Sequence, residues 1–192
     1  AWENAKPKQS FTEKEEPVGF FGKLFGQKPR TVQVASNSSQ GVDEIDLYAS
    51  IICYDKDGNF LESIYFGRLS GFNRNILHMG DDRVGGGNKV DNEQIFIQLD
   101  SLPEKVHHIF ATVSSFRGQN FSLIESASCR LVDCEDDKEE VKINLTAGGD
   151  YTGVIMAKIF RYGDGWLIKS IEEFCYSRTV GDLVDSCKKF IK

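Results

Sequence analysis

Long apolar runs are missing from this sequence, and none approaches the ~20 residues that a helix needs to cross a bilayer. The first residues also lack the basic segment followed by an apolar one that marks a secretory leader. We therefore expect a cytoplasmic protein, or one peripheral to the inner face of the membrane.

Catalytic signatures are missing as well. The chain has three histidines and contains no G-x-S-x-G elbow, no phosphate-binding P-loop and no G-x-G-x-x-G turn. Its five cysteines are odd in number, and no pair has the C-x-x-C spacing of zinc or redox sites. We expect free, buried thiols in a reducing compartment and no enzyme, with a disulfide or thiol-redox role as the alternative.

The charge is acidic and unevenly distributed. Lysine and arginine total 23 and aspartate and glutamate 29, which gives a net charge of −6. Residues 1–40 hold six cations and four anions (+2), so residues 41–192 carry −8. Because nucleic-acid binding depends largely on cations that neutralise phosphates, this balance argues against nucleic acid and favours a cation as ligand.

Residues 1–40 have the composition of a flexible extension, with three of the four prolines and a Ser/Asn-rich stretch at 36–40. One short segment in it is amphipathic, because Phe20, Phe21, Leu24 and Phe25 fall on one face at helical spacing. These aromatics either dock on the chain's own domain or form a motif for a protein partner or a membrane surface.

From residue 41 the pattern changes to period two, as along Ile45–Tyr54, and short apolar runs alternate with glycine turns up to Tyr176. This pattern predicts an all-β domain over 41–192, a two-sheet β-sandwich. Thr179 and Asp182 form a capping-box pattern that predicts a C-terminal α-helix. We expect its apolar stripe to pack on a sheet, with a dimer interface as the alternative; the stripe comprises Val180, Leu183, Val184, Cys187, Phe190 and Ile191.

Residues 80–93 carry the most chemistry: four carboxylates, two carboxamides and four glycines. Calcium takes about six to eight oxygen ligands, and glycines let main-chain carbonyls turn inward. The absence of His and Cys within this stretch favours a hard cation over a soft one, although a solvated acidic loop is the alternative. His78, at its border, is expected to orient the loop by a hydrogen bond. Asp55–Asn59 lacks the EF-hand glycine and glutamate and is predicted to be a hairpin turn.

Several motifs, in order, resemble those of the TerD family, which is linked to tellurium resistance and stress response. The stretch from His78 to Gly85, followed by Asp91-Asn92-Glu93, is similar to its hallmark loop. Ile45–Ser50 resembles its DLDAS strand, and Cys129–Asp133, after Asn120-Phe121, resembles its NF…IRLV segment. Ile159–Trp166 resembles its LYR…GEW hairpin, so the resemblance covers about 41–187.

The resemblance implies a β-sandwich with a clustered calcium site in a non-catalytic stress-response protein. Its matching positions imply Asp46, Asp81, Asp82, Asp91 and Glu93 as ligands, with Asn88 and Asn92 in a second tier. Tyr48, Asn92 and Lys89 depart from the family's acidic pattern, which predicts fewer or more weakly held ions. Two alternatives stay open. One is a calcium-dependent adaptor whose segment 20–25 binds a membrane surface or another stress-response protein, and the other is a thiol-based reductase of an oxyanion such as tellurite.

Overall fold

A computed structural model of the chain describes residues 30–38, 47–81, 93–115, 117–124 and 127–191. Within them the chain forms, in order, β1 (Thr31–Ser38), β2 (Leu47–Tyr54), β3 (Phe60–Ile64), β4 (Ser70–Gly71), β5 (Ile76–Asp81), β6 (Glu93–Gln98), β7 (His108–Ser115), β8 (Ala127–Asp133), β9 (Lys138–Asn144), β10 (Gly153–Tyr162), β11 (Gly165–Cys175) and α1 (Val180–Lys188). Three short 3-10 turns join some of these strands.

The strands form two antiparallel sheets. Sheet A has the order β4-β5-β6-β1-β8-β9, and sheet B has the order β11-β10-β7-β2-β3. Their facing sides enclose one apolar core, to which β2 contributes Leu47, Ala49, Ile51 and Cys53. The alternating residues of β2 therefore face the outside of sheet B. The predicted all-β sandwich with a C-terminal helix is confirmed.

Helix α1 lies on this outer face of sheet B. Thr179 caps it through the predicted capping box, with Asp182 as the reciprocal partner. Its buried Leu183 and Cys187 pack against a second apolar cluster that includes Ile52 and Phe110, and the rest of the predicted stripe joins them. The stripe thus covers a sheet, as predicted. No helix within the described ranges is long and apolar enough to cross a membrane.

Strand β1 corrects the predicted domain boundary. Thr31–Ser38 lies inside the stretch that was predicted to be a flexible extension, yet it pairs with both β6 and β8 near the middle of sheet A. Val32 and Val34 are fully buried in the core. The alternation of this strand is short and runs directly into the Ser/Asn-rich stretch, so composition hid it. The sandwich includes the chain from Arg30 onward, and the boundary at residue 41 is wrong.

One end of the sandwich, here called the loop end, collects strand termini from both sheets. In sheet A, Ser38 pairs with Ala127, and Asp81 pairs with Glu93. In sheet B, Leu47 pairs with Ser115. The strand residues that precede and follow the acid-rich segment, and the strand residue that follows Asp46 in the sequence, therefore lie at this end.

Candidate metal centre

The acid-rich segment is flanked by two strand residues that pair with each other in sheet A. Asp81 ends β5 and Glu93 begins β6, and the two residues are partners in the antiparallel register. The register shifts between His78 and Asp81, where Gly80 has a φ of +88°. Glycine suits that left-handed backbone, and such an irregularity redirects the chain at the end of a strand. Both ends of the segment 82–92 therefore start from fixed, adjacent positions.

Glu93 is buried, with 2% of its surface exposed. Its Oε2 accepts a hydrogen bond from the main-chain N–H of Ala49 at 2.5 Å, across the space between the two sheets. A hydrogen bond to an ionised acceptor is stronger than a neutral one, so this contact holds the carboxylate in place. Because the hydrogen bond already fixes the carboxylate, Glu93 would lose little further conformational entropy on binding a ligand.

His78 lies beside this carboxylate and is equally buried. The Gly80 N–H donates to His78 Nδ1 at 3.0 Å, which confirms the predicted loop-orienting hydrogen bond. On the other side of the ring, Nε2 lies 3.7 Å from Glu93 Oε1. His78 therefore links the backbone bend at Gly80 to the anchored Glu93.

Of the predicted calcium ligands, the structure describes the side chain of Glu93 and the backbone of Asp81. The other predicted ligands, Asp46, Asp82, Asn88, Asp91 and Asn92, lie outside the described residues, as do Phe20, Phe21, Leu24 and Phe25 of the aromatic segment. Among the residues that are described, no group of three or more His, Cys, Asp or Glu side chains could hold a metal ion. The ligand set stays a prediction. The contribution of Ala49 was missed, because a main-chain N–H has no sequence signature.

The rejected EF-hand-like stretch is a hairpin turn between β2 and β3, as predicted. Asp55 Oδ1 accepts from the N–H groups of Asp57 and Asn59, and Asp55 Oδ2 accepts from Asn59 Nδ2, each at 2.9 Å. The side-chain hydrogen bond from Asn59, followed by the main-chain ones, lowers the pKa of the Asp55 carboxyl. Its oxygens are used by the turn itself.

The five thiols, all of them in the described part of the chain, are free. Cys53, Cys129 and Cys187 are buried, Cys175 is half-buried and Cys134 is exposed. Burial raises the pKa of each thiol above its ordinary value, to about 12 for Cys129. A raised pKa leaves little thiolate at neutral pH, and the thiolate is the reactive form.

Comparisons with known proteins agree on one family. A family model described as the TerD domain matches residues 27–187. Tellurium resistance protein TerZ of Serratia marcescens is 33% identical over 165 residues, which cover 86% of this chain and 77% of TerZ. Stress response protein SCP2 of Bacillus subtilis is 30% identical over 174 residues, covering 86% of this chain and 80% of SCP2. The crystal structure of a TerD homologue from Streptomyces coelicolor superposes with a TM-score of 0.68 at 14% identity, covering 80% of this chain and 94% of that one, and so supports the fold.

Proposed function

The chain belongs to the TerD domain family, and we propose that it is a calcium-binding protein without catalytic activity that serves in a tellurium-resistance or stress response. The observation that carries the proposal is the anchored carboxylate of Glu93 at the base of the acid-rich segment. Burying a carboxylate is costly, and a cation bound nearby would offset that cost.

The donor set favours calcium over other cations. Residues 81–93 offer four carboxylates and two carboxamides and no sulfur or imidazole donor. Calcium accepts a large and irregular set of oxygen ligands, whereas magnesium demands near-octahedral geometry and keeps several waters. A bound calcium ion would supply the positive charge that lets these acids share one small region.

Asp46 fits the same proposal by its place in the sequence. It precedes Ala49 by three residues, and the Ala49 N–H is the group that holds Glu93. This hydrogen bond joins the beginning of β2 to the beginning of β6, and Asp46 immediately precedes β2 in the sequence. Asp46 therefore supports the proposed ligand set although it is remote from Asp81 and Asp91 in sequence.

The non-catalytic part of the proposal is supported by the cysteines. A thiol-based reductase needs an accessible thiol with a lowered pKa. Burial raises the pKa of all five thiols, including the exposed Cys134. Rapid reaction of a cysteine with a thiol reagent at neutral pH in the folded protein would favour the reductase instead.

Calorimetric titration with calcium tests the proposal. The test variant is Asp81→Asn/Asp91→Asn. The control is Asp57→Asn/Asp164→Asn, which makes the same change in charge at two exposed turns on the end of the sandwich opposite the loop end. We expect the wild type and the control to bind calcium alike and the test variant to bind at least ~10-fold more weakly, about 1.4 kcal/mol.

Two results would overturn it. One is no calcium binding by the wild type at millimolar ion. The other is an equal loss of affinity in both variants, because that would mark an effect of net charge and not of a site.

A further inference from the structure

A cavity of about 220 Å³ opens on the outer face of sheet B, beside the start of α1; we call it the outer pocket. Tyr48 and Ser50 of β2 and Ser114 of β7 line it from the sheet. Tyr65 and Phe66, which follow β3, line one side, and Arg178, just before α1, lines another. None of these residues belongs to the proposed calcium site.

The pocket exists because the outer face of the sheet changes character along β2 and β7. Under α1 this face carries large side chains such as Ile52 and Phe110. Beyond the start of the helix it carries small hydroxyl residues. Ser50 Oγ lies 2.6 Å from Thr112 Oγ1, and both residues are buried. Small side chains leave a depression, and their hydroxyls put polar groups at its base.

One side of the pocket is aromatic. The ring centroids of Tyr48 and Phe66 lie 4.4 Å apart, and those of Tyr65 and Phe66 lie 5.4 Å apart with the rings nearly perpendicular. Phe66 is 42% exposed, so a ligand could cover apolar surface there. Aromatic rings gain from offset or edge-to-face contact beyond the area that they bury. This side suits a flat ring.

The one charged side chain among the described residues that line the pocket is positive, whereas the chain as a whole is acidic. Arg178 is the one charged side chain among the residues that line it, in a protein with a net charge of −6. The guanidinium stem passes close to Gly118, where an added Cβ would lie 3.3 Å from Arg178 Nε. The nearby Asp182 carboxylate accepts from the N–H groups of Arg178 and Thr179 in the capping box. Arg178 therefore puts a guanidinium at the edge of the pocket, next to the Asp182 carboxylate, and this guanidinium can pair with an anion.

We propose that the outer pocket binds a small aromatic anion, with its ring against Tyr48 and Phe66 and its acid group at Arg178. The hydroxyls of Ser50 and Ser114 face polar substituents of the ring. Sites for drug-sized ligands span about 300–1,000 Å³, so a pocket of 220 Å³ fits a single ring that bears an acid group. Tyr48 departs from the acidic pattern of the family, and in this proposal its ring contacts the aromatic ligand.

The test uses the full chain, with chelator present so that calcium binding has no part in it. Benzoate is the probe, benzamide is a neutral aromatic comparison and cyclohexanecarboxylate is an anion without an aromatic ring. Binding is followed by the shifts of protein amide signals in NMR spectra. We expect benzoate to shift signals around Ser50, Ser114 and Arg178 with a Kd on the order of millimolar, since so small a ligand has few atoms to bind with. Both comparison compounds bind more weakly.

The variant Arg178→Gln should weaken benzoate binding roughly fivefold and leave benzamide unchanged, as expected for one exposed charge. Lys105→Gln removes an exposed charge outside the pocket and is the control. The variant Tyr48→Leu should weaken both aromatic compounds. No benzoate binding at concentrations well above millimolar, equal binding of all three compounds, or signal shifts confined to another surface would each overturn the proposal.

Discussion

Glu93 Oε2 and the main-chain nitrogen of Ala49 lie 2.5 Å apart, and their hydrogen bond joins sheet A to sheet B at the loop end. Glu93 begins β6, directly after the acid-rich segment, and Ala49 lies near the beginning of β2. The contact therefore does two things: it satisfies a buried N–H inside the sandwich, and it fixes the carboxylate of Glu93, which is one of the proposed calcium ligands. Stability and calcium binding can be separated by choosing the substitution.

Replacing Glu93 by alanine should lower the free energy of unfolding by about 1–3 kcal/mol, because the buried Ala49 N–H loses its acceptor. Glu93→Gln keeps an acceptor oxygen of the same shape and should lose less. Urea unfolding of the two variants and the wild type in chelator measures this. An equal loss in both variants would show that the charge, and not the hydrogen bond, holds the site.

The ion pair between Arg30 and Asp133 lies inside the fold, with side chains 8% and 9% exposed. Arg30 Nε donates to Asp133 Oδ2 at 2.8 Å, and Arg30 Nη1 donates to the Trp166 carbonyl at 3.3 Å. Asp133→Ala leaves the buried Arg30 guanidinium without its carboxylate partner and should lower the free energy of unfolding by about 3–5 kcal/mol.

The double variant Arg30→Met/Asp133→Leu should lower the free energy of unfolding less than Asp133→Ala does, since it leaves no buried charge without its partner. Denaturant unfolding of both variants provides the comparison. If the double variant is the less stable of the two, the pair contributes more than its desolvation costs, and this prediction is wrong.

His108 should make the fold sensitive to mild acid. Burial, followed by the charges of Lys158 and His107, lowers its pKa from an ordinary value of 6.5 to about 4. Between pH 6.5 and pH ~4 the imidazole of His108 is protonated in the unfolded chain and neutral in the folded one. The free energy of unfolding therefore falls as the pH falls through this window.

The measurement is urea unfolding of the wild type and His108→Gln at pH 7.5 and pH 5. The variant should lose less stability between the two pH values. Acidic residues that titrate in this range affect both proteins alike, so the difference isolates His108. Identical losses would mean that the imidazole titrates normally in the fold.

Local patterns predicted the elements that carry strong signals. The period-two pattern along Ile45–Tyr54 predicted a strand where β2 (Leu47–Tyr54) lies, and the Thr179 capping box predicted the start of α1. Strand β1 was missed because its apolar residues are few, and it is held in sheet A by partners 57 to 101 residues away in the sequence, as in the pairs Ser36–Glu93 and Val32–Asp133. Pairing at such separation leaves no local trace.

The candidate site shows the same division. The role of His78 followed from its position next to the glycine-rich stretch, and the structure confirms it. The Ala49 contact did not follow, because it uses the backbone of a residue 44 positions away from Glu93. The outer pocket could not be predicted either: Tyr48, Ser114 and Arg178 come from three distant segments, and their meeting depends on the topology of sheet B and the place of α1.

Gly148 sits where two aromatic rings meet, and alanine should not fit there. A Cβ at this position would lie 2.5 Å from Phe174 Cδ1 and 2.6 Å from Phe121 Cδ2. Phe121 is fully buried in the core, and the partly buried Phe174 packs against the core. Gly148→Ala should therefore lower the free energy of unfolding by about 1–3 kcal/mol through overpacking. Thermal unfolding would contradict this if the Tm stayed at the wild-type value.

Gly181 offers the opposite case, because it lies within α1 and has room for a methyl group. The nearest atom to an added Cβ is Thr179 Oγ1 at 3.5 Å, an ordinary van der Waals contact. Glycine in a helix loses more backbone entropy on folding than alanine does, so Gly181→Ala should stabilise the protein by about 0.5–1 kcal/mol. Thermal and urea unfolding should both move upward. A decrease would mean that the capping box of Thr179 and Asp182 needs the flexibility of Gly181, and removing the box by Thr179→Ala in the same background should then abolish the difference between alanine and glycine at position 181.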